Sequence, residues 1–506
     1  MVRRVHSFGI AGIDGFDVFV ECSLSGGLPA FDIVGLPDAA VKESRERVRA
    51  AIKNCGLKFP VSRVTVNLAP ADRKKAGTMY DLPVFLGILS AAELIKPLPD
   101  DWGFLGELSL SGQVRPAPGV LSMALRAKKS GVTKLFVPAG NAAEACFAGA
   151  LEIYPVNTVS ELLSHLDGSA LIAPADATHD LREASYPMDF SEVKGQENAK
   201  RALEVAAAGG HNILLIGPPG SGKSMLAKRL PTILPAMTRA ESLETTAIYS
   251  ITGLTVGGDA ILTRRPFRSP HHTASHAAMA GGSNLQPGEI SLAHNGVLFL
   301  DELPEFHRDV IEALRQPMED GAVTVSRVAG TATYPSRFML VCAMNPCKCG
   351  WYGHPSGKCT CTPKSVHNYR AKVSGPLLDR IDVHIEVPSL EYDELRRRPD
   401  AESSAVIRWR VDQARNVQLS RFSGTGITCN AHMTPAQMHE HCRLDDKGEV
   451  LMRGAFAKLG LTARSHDRIL RVARTIADLS GAEAISAAHL AEAIQYRAYD
   501  FDTDKE

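Results

Sequence analysis

The sequence predicts an α/β protein built on a parallel sheet, with an α+β domain before the sheet and a helical region after it. Apolar segments at residues 212–216, 296–300 and 338–343 alternate with helical segments. This alternation is typical of a parallel sheet with crossover helices. Beyond these segments the strand signals stop, and periodic helices are predicted at residues 464–479 and 487–497.

The N-terminal third predicts strands and helices in mixed order. Residues 64–68 form a strand, residues 81–95 an apolar helix, and residues 105–114 a hairpin closed by Ser111 and Gly112. A stretch rich in Ala, Pro, Asp and Thr then indicates a linker. The expected divisions are an α+β domain at 1–166, a linker at 167–188, a parallel-sheet core at 189–389, a helical region at 390–499 and a charged tail at 500–506.

Composition excludes several classes of protein. The 506 residues carry 56 Lys and Arg against 56 Asp and Glu, so nucleic acid could be bound only through local patches or an assembled ring. No apolar stretch approaches the roughly 20 residues of a membrane span. Four of the ten cysteines cluster between Cys347 and Cys361, which indicates a reducing, cytoplasmic location and one metal cluster.

A glycine-rich motif follows the first strand of the core and precedes a helical segment. Its backbone N–H groups suit phosphate oxygens, Lys223 suits the β- and γ-phosphates of ATP, and Ser224 suits Mg²⁺. A chance glycine turn is the alternative, but the strand–loop–helix context disfavours it. The residues of this phosphate-binding loop are Gly217, Pro218, Pro219, Gly220, Ser221, Gly222, Lys223 and Ser224.

Two carboxylates end the second core strand. We expect Asp301 to hold Mg²⁺ and Glu302 to orient and polarise the attacking water. Asn345 follows the third strand and would lie between the two motifs, where it could hydrogen-bond the γ-phosphate or the water. Its alternative role is that of a turn-former before Pro346.

The order of these motifs resembles that of AAA+ ATPases. The stretches 265–273 (RPFRSPHHT), 287–294 (PGEISLAH) and 375–382 (GPLLDRID) are similar to the magnesium-chelatase-like branch. Within that branch the chain resembles the ComM/YifB family of competence proteins, from near residue 1 to about residue 497. The resemblance implies an AAA+ P-loop core with a helical lid, preceded by an α+β domain like those of Lon proteases and ribosomal protein S5.

The resemblance also implies catalytic roles for residues outside the two motifs. Asn345 matches the sensor-1 position, Arg380 the arginine finger that reaches the ATP of an adjacent subunit, and Arg464 the sensor-2 arginine of the lid. A finger acting in trans requires an oligomer, and the family implies a hexameric ring. The alternatives are an ion pair of Arg380 with Asp379 or Asp382, and an arginine of the helix-cap region for Arg464.

Candidate DNA contacts lie in two elements that resemble family insertions. Residues 251–291 resemble the helix-2 insertion, and residues 319–338 predict a hairpin like the one before sensor 1. The N-terminal domain adds Arg47 and Lys75 among its candidate phosphate contacts, or as part of a solvated face. Pairing with local acids is the alternative for every arginine of the core set, which comprises Arg264, Arg265, Arg268 and Arg327.

Four cysteines form two C-x-C pairs that fit a structural, tetrahedral Zn²⁺ site. Four free thiols are the alternative, and His354 is a less favoured ligand. The expected ligands are Cys347, Cys349, Cys359 and Cys361.

The likeness to Lon proteases does not extend to their chemistry. The position of the nucleophilic serine falls at Met79, and that of the lysine base near Leu121. A thioether and an alkyl chain cannot perform acyl transfer, so we expect no peptidase activity.

The family resemblance implies a motor that couples ATP hydrolysis to movement of single-stranded or branched DNA. Branch migration during natural transformation and homologous recombination is the implied role, with recombination proteins as further partners and no membrane partner. The alternatives are a metal-chelatase-type motor subunit, an ATP-dependent protease, and an ATP-dependent remodeller of protein substrates.

Overall fold

A computed structural model describes residues 2–176, 186–255, 260–282, 285–327, 330–389, 401–459, 461–497 and 499. Part of the predicted linker (177–185), the start of the predicted helical region (390–400) and the charged tail (500–506) lie outside the described residues. No helix among the described residues combines the length and hydropathy needed to cross a membrane.

A seven-stranded sheet forms the N-terminal region. Its first two strands pair as an antiparallel hairpin, and the last three strands of the order are mutually parallel. Phe16, Val18, Val20 and Cys22 are buried at every second position, because successive side chains of a strand point to opposite faces of the sheet. In spatial order the strands are Ala30–Val34, Arg63–Ala69, Asp14–Ser25, Val2–Ala11, Trp102–Phe104, Lys134–Pro138 and Glu152–Val156.

Five helices and a short hairpin complete this region. The apolar helix predicted at 81–95 ends earlier, at Ala91, and is buried along almost its whole length. The predicted hairpin pairs Glu107–Leu108 with Val114–Arg115. The helices are Ala39–Asn54, Asp81–Ala91, Val120–Lys129, Ala142–Cys146 and Val159–Asp167.

The second sheet has five parallel strands, as the sequence predicted for the core. The strand Met339–Met344 lies between two others. On one side is Val297–Leu300, which ends at Asp301, and on the other is Ile213–Ile216, which precedes the phosphate-binding loop. Every residue of these three strands is buried, because helices cover both faces. The spatial order is Phe267–Arg268, Val297–Leu300, Met339–Met344, Ile213–Ile216 and Val383–Glu386.

Helices surround this sheet, and a two-stranded hairpin packs one face into the apolar core beside it. The hairpin pairs Ala322–Arg327 with Gly330–Pro335, in agreement with the hairpin predicted at 319–338. The helices are Glu197–Gly209, Lys223–Arg229, Arg239–Ile251, His276–Ala280, Glu289–Leu292, Arg308–Ala313, Arg315–Asp320, Pro363–Arg370 and Gly375–Leu378.

The C-terminal region is helical, as predicted. Its helices are Ser404–Arg421, Pro435–His441, Asp446–Leu459, Ala463–Leu479 and Ala487–Gln495. One buried carboxylate, Asp382, fastens this lid to the sheet by pairing with Arg468 of the lid and with His211, whose ring contacts Thr475 at 2.8 Å. Burial opposes ionisation of Asp382, but Arg468 and His211 hold the pKa of its carboxyl below its usual range.

The N-terminal region packs against the region of the five-stranded sheet, which we call the nucleotide-sheet region. The contact is made by two helices, Val120–Lys129 and Arg239–Ile251. Gly119 N–H donates to the Ser250 carbonyl at 2.9 Å across this contact. Leu121, the position aligned with the protease lysine, is fully buried here in a small apolar cluster with residues of the second region. An alkyl side chain therefore serves packing at this position.

Candidate nucleotide-binding site

Glycine conformation shapes the phosphate-binding loop between Ile213–Ile216 and Lys223–Arg229. Gly220 and Gly222 have φ values of +78° and +89°, a region that side-chain-bearing residues rarely adopt. At Gly217 a Cβ atom would lie 2.1 Å from the Val387 carbonyl oxygen, so no larger residue fits without a shift. The glycines of the motif are thus required by the backbone path.

Lys223 lies inside the loop and is only 8% exposed. Its Nζ donates to the carbonyl oxygens of Gly217 at 2.8 Å and Pro218 at 2.9 Å, and to Asn345 Oδ1 at 3.2 Å. Burial lowers the pKa of Lys223, while the nearby carboxylates of Asp301 and Glu302 act in the opposite direction. The ammonium group is therefore held by neutral carbonyl and amide oxygens, and a bound phosphate, as a charged acceptor, would replace them.

The acidic strand end meets the loop directly. Ser224 Oγ donates to Asp301 Oδ2 at 2.6 Å, and Asp301 Oδ1 accepts from the Glu302 N–H at 3.0 Å. A hydroxyl and a carboxylate oxygen are ligand types that Mg²⁺ takes alongside substrate phosphates. The donor set therefore fits Mg²⁺, with Ser224 and Asp301 as the residues that would hold it.

One cavity of about 400 Å³ is lined by most of the predicted nucleotide residues, but not by Gly217, Pro218 or Ser221. The predicted arginine finger, Arg380, and the predicted sensor-2 residue, Arg464, do not line it. Its walls are formed by Pro219, Gly220, Gly222, Lys223, Ser224, Met225, Asp301, Glu302, Met344 and Asn345.

His272 contacts Glu302, a pairing that the sequence reasoning missed. Its Nδ1 lies 3.4 Å from Glu302 Oε2, and the carboxylate is 56% exposed. The ring also packs against His271, with centroids 4.1 Å apart, and edge-on against Phe306. The 265–273 stretch contained the signal for this contact. Its strand, Phe267–Arg268, lies beside the strand that ends at Asp301, so His272 follows close to Glu302.

Arg380 pairs with an acid that neither alternative named. Its guanidinium forms an ion pair with Glu319 and donates to the Pro376 carbonyl at 2.7 Å, leaving the side chain 14% exposed. Asp382 pairs instead with the lid, as described above, and Asp379 lies 3.9 Å from Arg497. The Arg380 guanidinium is therefore held by partners on its own chain.

Arg464 is exposed in the first turn of the lid helix Ala463–Leu479. The helix cap is supplied by Thr462, whose side chain accepts from the Ser465 N–H. Arg464 therefore lies in the cap region, as the alternative described, without forming the cap itself. One turn further on, Arg468 ties the same helix to the sheet.

The predicted DNA arginines divide into two groups. Arg265 pairs with Glu241 and donates to three carbonyls, and Arg268 makes two 2.7 Å hydrogen bonds with Glu289. The local-acid alternative therefore describes both. Arg264 is exposed. Arg327, at the end of the hairpin strand Ala322–Arg327, is also exposed and donates to the Gly281 carbonyl at 3.0 Å.

Two N-terminal candidates are also occupied within the fold. Arg47 makes a two-pronged pair with the buried Asp81, at 2.6 and 3.0 Å. Lys75 is fully buried and donates to the Arg73 carbonyl at 2.8 Å and to the Pro70 carbonyl. Neither is free to contact phosphate, because removing either from its partners would leave a buried group unsatisfied.

The four predicted zinc ligands converge, with all sulfur atoms within 4.8 Å of one another. Sγ of Cys349 lies 3.3 Å from that of Cys347 and 3.6 Å from that of Cys359. A tetrahedral site with Zn–S bonds of about 2.3 Å places its sulfurs ~3.8 Å apart, so the set fits Zn²⁺. His354 is engaged elsewhere, with Ser356 and Ser389.

The cysteine loop touches the nucleotide loop. Gly350 adopts φ +85°, and a Cβ atom there would lie 2.4 Å from Pro219 Cδ. Hydrogen bonding to the Trp351 backbone lowers the pKa of the Cys349 thiol to about 6, whereas burial and the neighbouring thiols raise the pKa of Cys359 and Cys361. The cluster is thus built against one wall of the nucleotide cavity.

Comparison with known proteins assigns the class. The sequence profile described as "Magnesium chelatase, subunit ChlI" matches residues 189–395, that of "Subunit ChlI of Mg-chelatase" matches 20–141, and the corresponding C-terminal profile matches 401–497. The chain is a member of the magnesium-chelatase-like ATPases.

Relatives that match along nearly the full length narrow this class. Competence protein ComM of Haemophilus influenzae is 42% identical over 98% of this chain and 97% of its own, and the YifB protein of Escherichia coli matches equally well. The chain belongs to the ComM/YifB family. A shorter match, 27% identical over 40% of this chain and 25% of the relative, is to the DNA replication licensing factor mcm7 of Schizosaccharomyces pombe.

Proposed function

We propose that the chain is a hexameric ring ATPase that couples ATP hydrolysis to DNA strand movement of the branch-migration type. The observation that carries the proposal is the single cavity joining Lys223, Asp301, Glu302 and Asn345. The competence name of one full-length relative and the replication name of a partial one support DNA as the substrate.

Each residue of the cavity has a role in this proposal. Lys223 exchanges its carbonyl partners for the β- and γ-phosphates, and Asn345, 3.2 Å from Nζ, stays within reach of the γ-phosphate. Glu302 holds and polarises the attacking water at the exposed mouth of the cavity. Mg²⁺, when held by Ser224 and Asp301, offsets the phosphate charge.

The position of Arg380 supports completion of the site in trans. The residue lies outside the cavity wall of its own subunit, which suits a guanidinium that acts on a neighbour's ATP. Its pair with Glu319 holds the side chain until a subunit docks. Arg464 acts from the lid, whose angle is set by the Asp382–Arg468 pair.

A structural Zn²⁺ ion is part of the proposal. Held by the four cysteines, it leaves no open coordination position and so fixes the loop without taking part in chemistry. Contact between Gly350 and Pro219 passes that rigidity to the phosphate-binding loop.

The N-terminal region, residues 1–166, is proposed to be a Lon-protease-like domain without peptidase activity. Met79 and Leu121 are both buried in place of a nucleophile and a base, and Leu121 packs on the nucleotide-sheet region. The domain then stabilises the ring or carries a partner surface.

One assay separates this function from its alternatives. The purified full-length chain is given ATP and, in turn, a labelled branched DNA, a porphyrin with Mg²⁺, and casein. We expect ATP-dependent strand movement on the DNA alone. Metal insertion, casein degradation, or an absence of DNA binding at low salt would reject the proposal, and stimulation by an unfolded protein alone would favour the remodeller.

A further inference from the structure

Charge is distributed unevenly along this electrically neutral chain. Between Asp320 and Asp379 the sequence contains no Asp or Glu. A stretch of that length without an acid has a positive field unless the fold brings acids to it from elsewhere. The basic residues of this stretch are Arg327, Arg337, Lys348, Lys358, Lys364, Arg370 and Lys372.

Part of this stretch folds around a second cavity, of about 460 Å³, outside the nucleotide site. Its walls come from the cysteine loop, from the helix Pro363–Arg370 and from the turn Leu303–Glu305. Three exposed lysines line it, namely Lys348, Lys364 and Lys372, together with Ser365 and Asn368. Lysine, serine and asparagine side chains all offer hydrogen-bond donors, which suits an oxyanion.

The internal partners of these lysines offset only part of the charge. Lys372 lies 3.3 Å from Glu305, but the two side chains are 49% and 42% exposed, and such surface pairs contribute little. A zinc ion with four thiolates carries a net charge of −2, which Lys348 and Lys358 offset from positions next to ligand cysteines. Lys364 and Lys372 remain for an external anion.

We infer that this cavity binds a backbone phosphate of the DNA strand that the motor moves. Lysine recognises phosphate as a point charge and reads no base edge, so the contact is independent of sequence, as translocation requires. The first turn of Pro363–Arg370 faces the same cavity and adds the partial positive charge of a helix start. The inference rests on the proposed DNA-moving function.

The cavity is also linked to the catalytic glutamate. The Glu305 N–H donates to the Glu302 carbonyl at 2.8 Å, so the two acids belong to one turn. A phosphate that binds Lys372 competes with Glu305 for its ammonium group. DNA in the cavity thereby alters the turn that carries Glu302, which gives a route for DNA to stimulate hydrolysis.

The test measures binding of the full-length chain to fluorescent single-stranded DNA across a salt series. Each lost phosphate contact lowers the slope of log K against log salt by about 0.7 on a single strand, so Lys364→Gln with Lys372→Gln lowers it by roughly 1.4. DNA stimulation of ATP hydrolysis falls in the same variant. Lys447→Gln is the control for loss of a lysine charge, since Lys447 is exposed on the lid helix Asp446–Leu459 and does not line the cavity.

Several outcomes decide the matter. Recovery of the wild-type salt slope in the Lys364→Arg, Lys372→Arg double variant supports the inference, because arginine keeps the charge. An unchanged slope in the glutamine variant, with wild-type binding intact, overturns it and leaves the proposed function standing. A wild-type chain that binds no DNA rejects both. Loss of ring assembly with unchanged DNA affinity assigns the lysines to a subunit contact and also overturns it.

Discussion

Glu302→Gln should separate ATP binding from ATP hydrolysis. The substitution keeps the size of the side chain, and the carboxylate is 56% exposed, so no buried group loses a partner. We therefore expect the free energy of unfolding to change by no more than about 0.5 kcal/mol. The backbone hydrogen bond from Glu305 to Glu302 is unaffected by the change.

The chemical step should suffer far more than the fold. An amide cannot take the proton of the attacking water, and general-base contributions of 10²–10⁴ correspond to about 2.7–5.4 kcal/mol of barrier. Phosphate release measures turnover, and a fluorescent ATP analogue measures binding. Asp309→Asn, at an exposed acid nearby, is the control. Turnover within a few-fold of the wild type would refute the assignment of Glu302 as the base.

The remaining predictions concern the loop, the lid, the metal and the residue beside Glu302. Lys223→Ala should weaken ATP binding on the order of 10- to 100-fold or more, because a charged phosphate contact is lost. Asp382→Ala should cost about 3–5 kcal/mol in denaturant unfolding, since Arg468, whose side chain is only 18% exposed, loses its carboxylate partner. A strong zinc chelator should lower the melting temperature, and metal analysis should find zinc in the purified chain. His272→Ala should reduce turnover more than ATP affinity.

Distinct results would contradict each of these. Normal ATP affinity of the Lys223 variant would remove the phosphate-binding role. The control for Asp382→Ala is Asp379→Ala, at a more exposed acid 3.9 Å from Arg497. An equal loss of unfolding free energy in both variants would refute the claim that Asp382 holds the lid to the sheet. Unchanged melting in chelator, with no zinc found, would leave four free thiols. Wild-type turnover of the His272 variant would make its contact with Glu302 incidental.

The nucleotide cavity illustrates how far sequence reasoning reaches. Strand–loop–helix order placed Lys223 and Ser224, and a buried strand ending in two acids placed Asp301 and Glu302, because parallel strands end at one edge of a sheet. The position of Asn345 between the motifs follows from the same rule, and Met339–Met344 is the middle strand. Side-chain partners did not follow from it. Glu319, the partner of Arg380, lies 61 positions from it along the chain, and Glu302 lies 30 positions from its partner His272.

What the sequence determined by itself was local and periodic. It gave the order of strands and helices, the glycine turn, the spacing of the cysteines and the family to which the chain belongs. Tertiary structure decided which charges are free. Arg265, Arg268, Arg47 and Lys75 have internal partners, whereas lysines of the basic stretch meet around a cavity. The reason is physical: whether a charge faces an acid or water depends on contacts between segments distant along the chain, and composition counts the charges without pairing them.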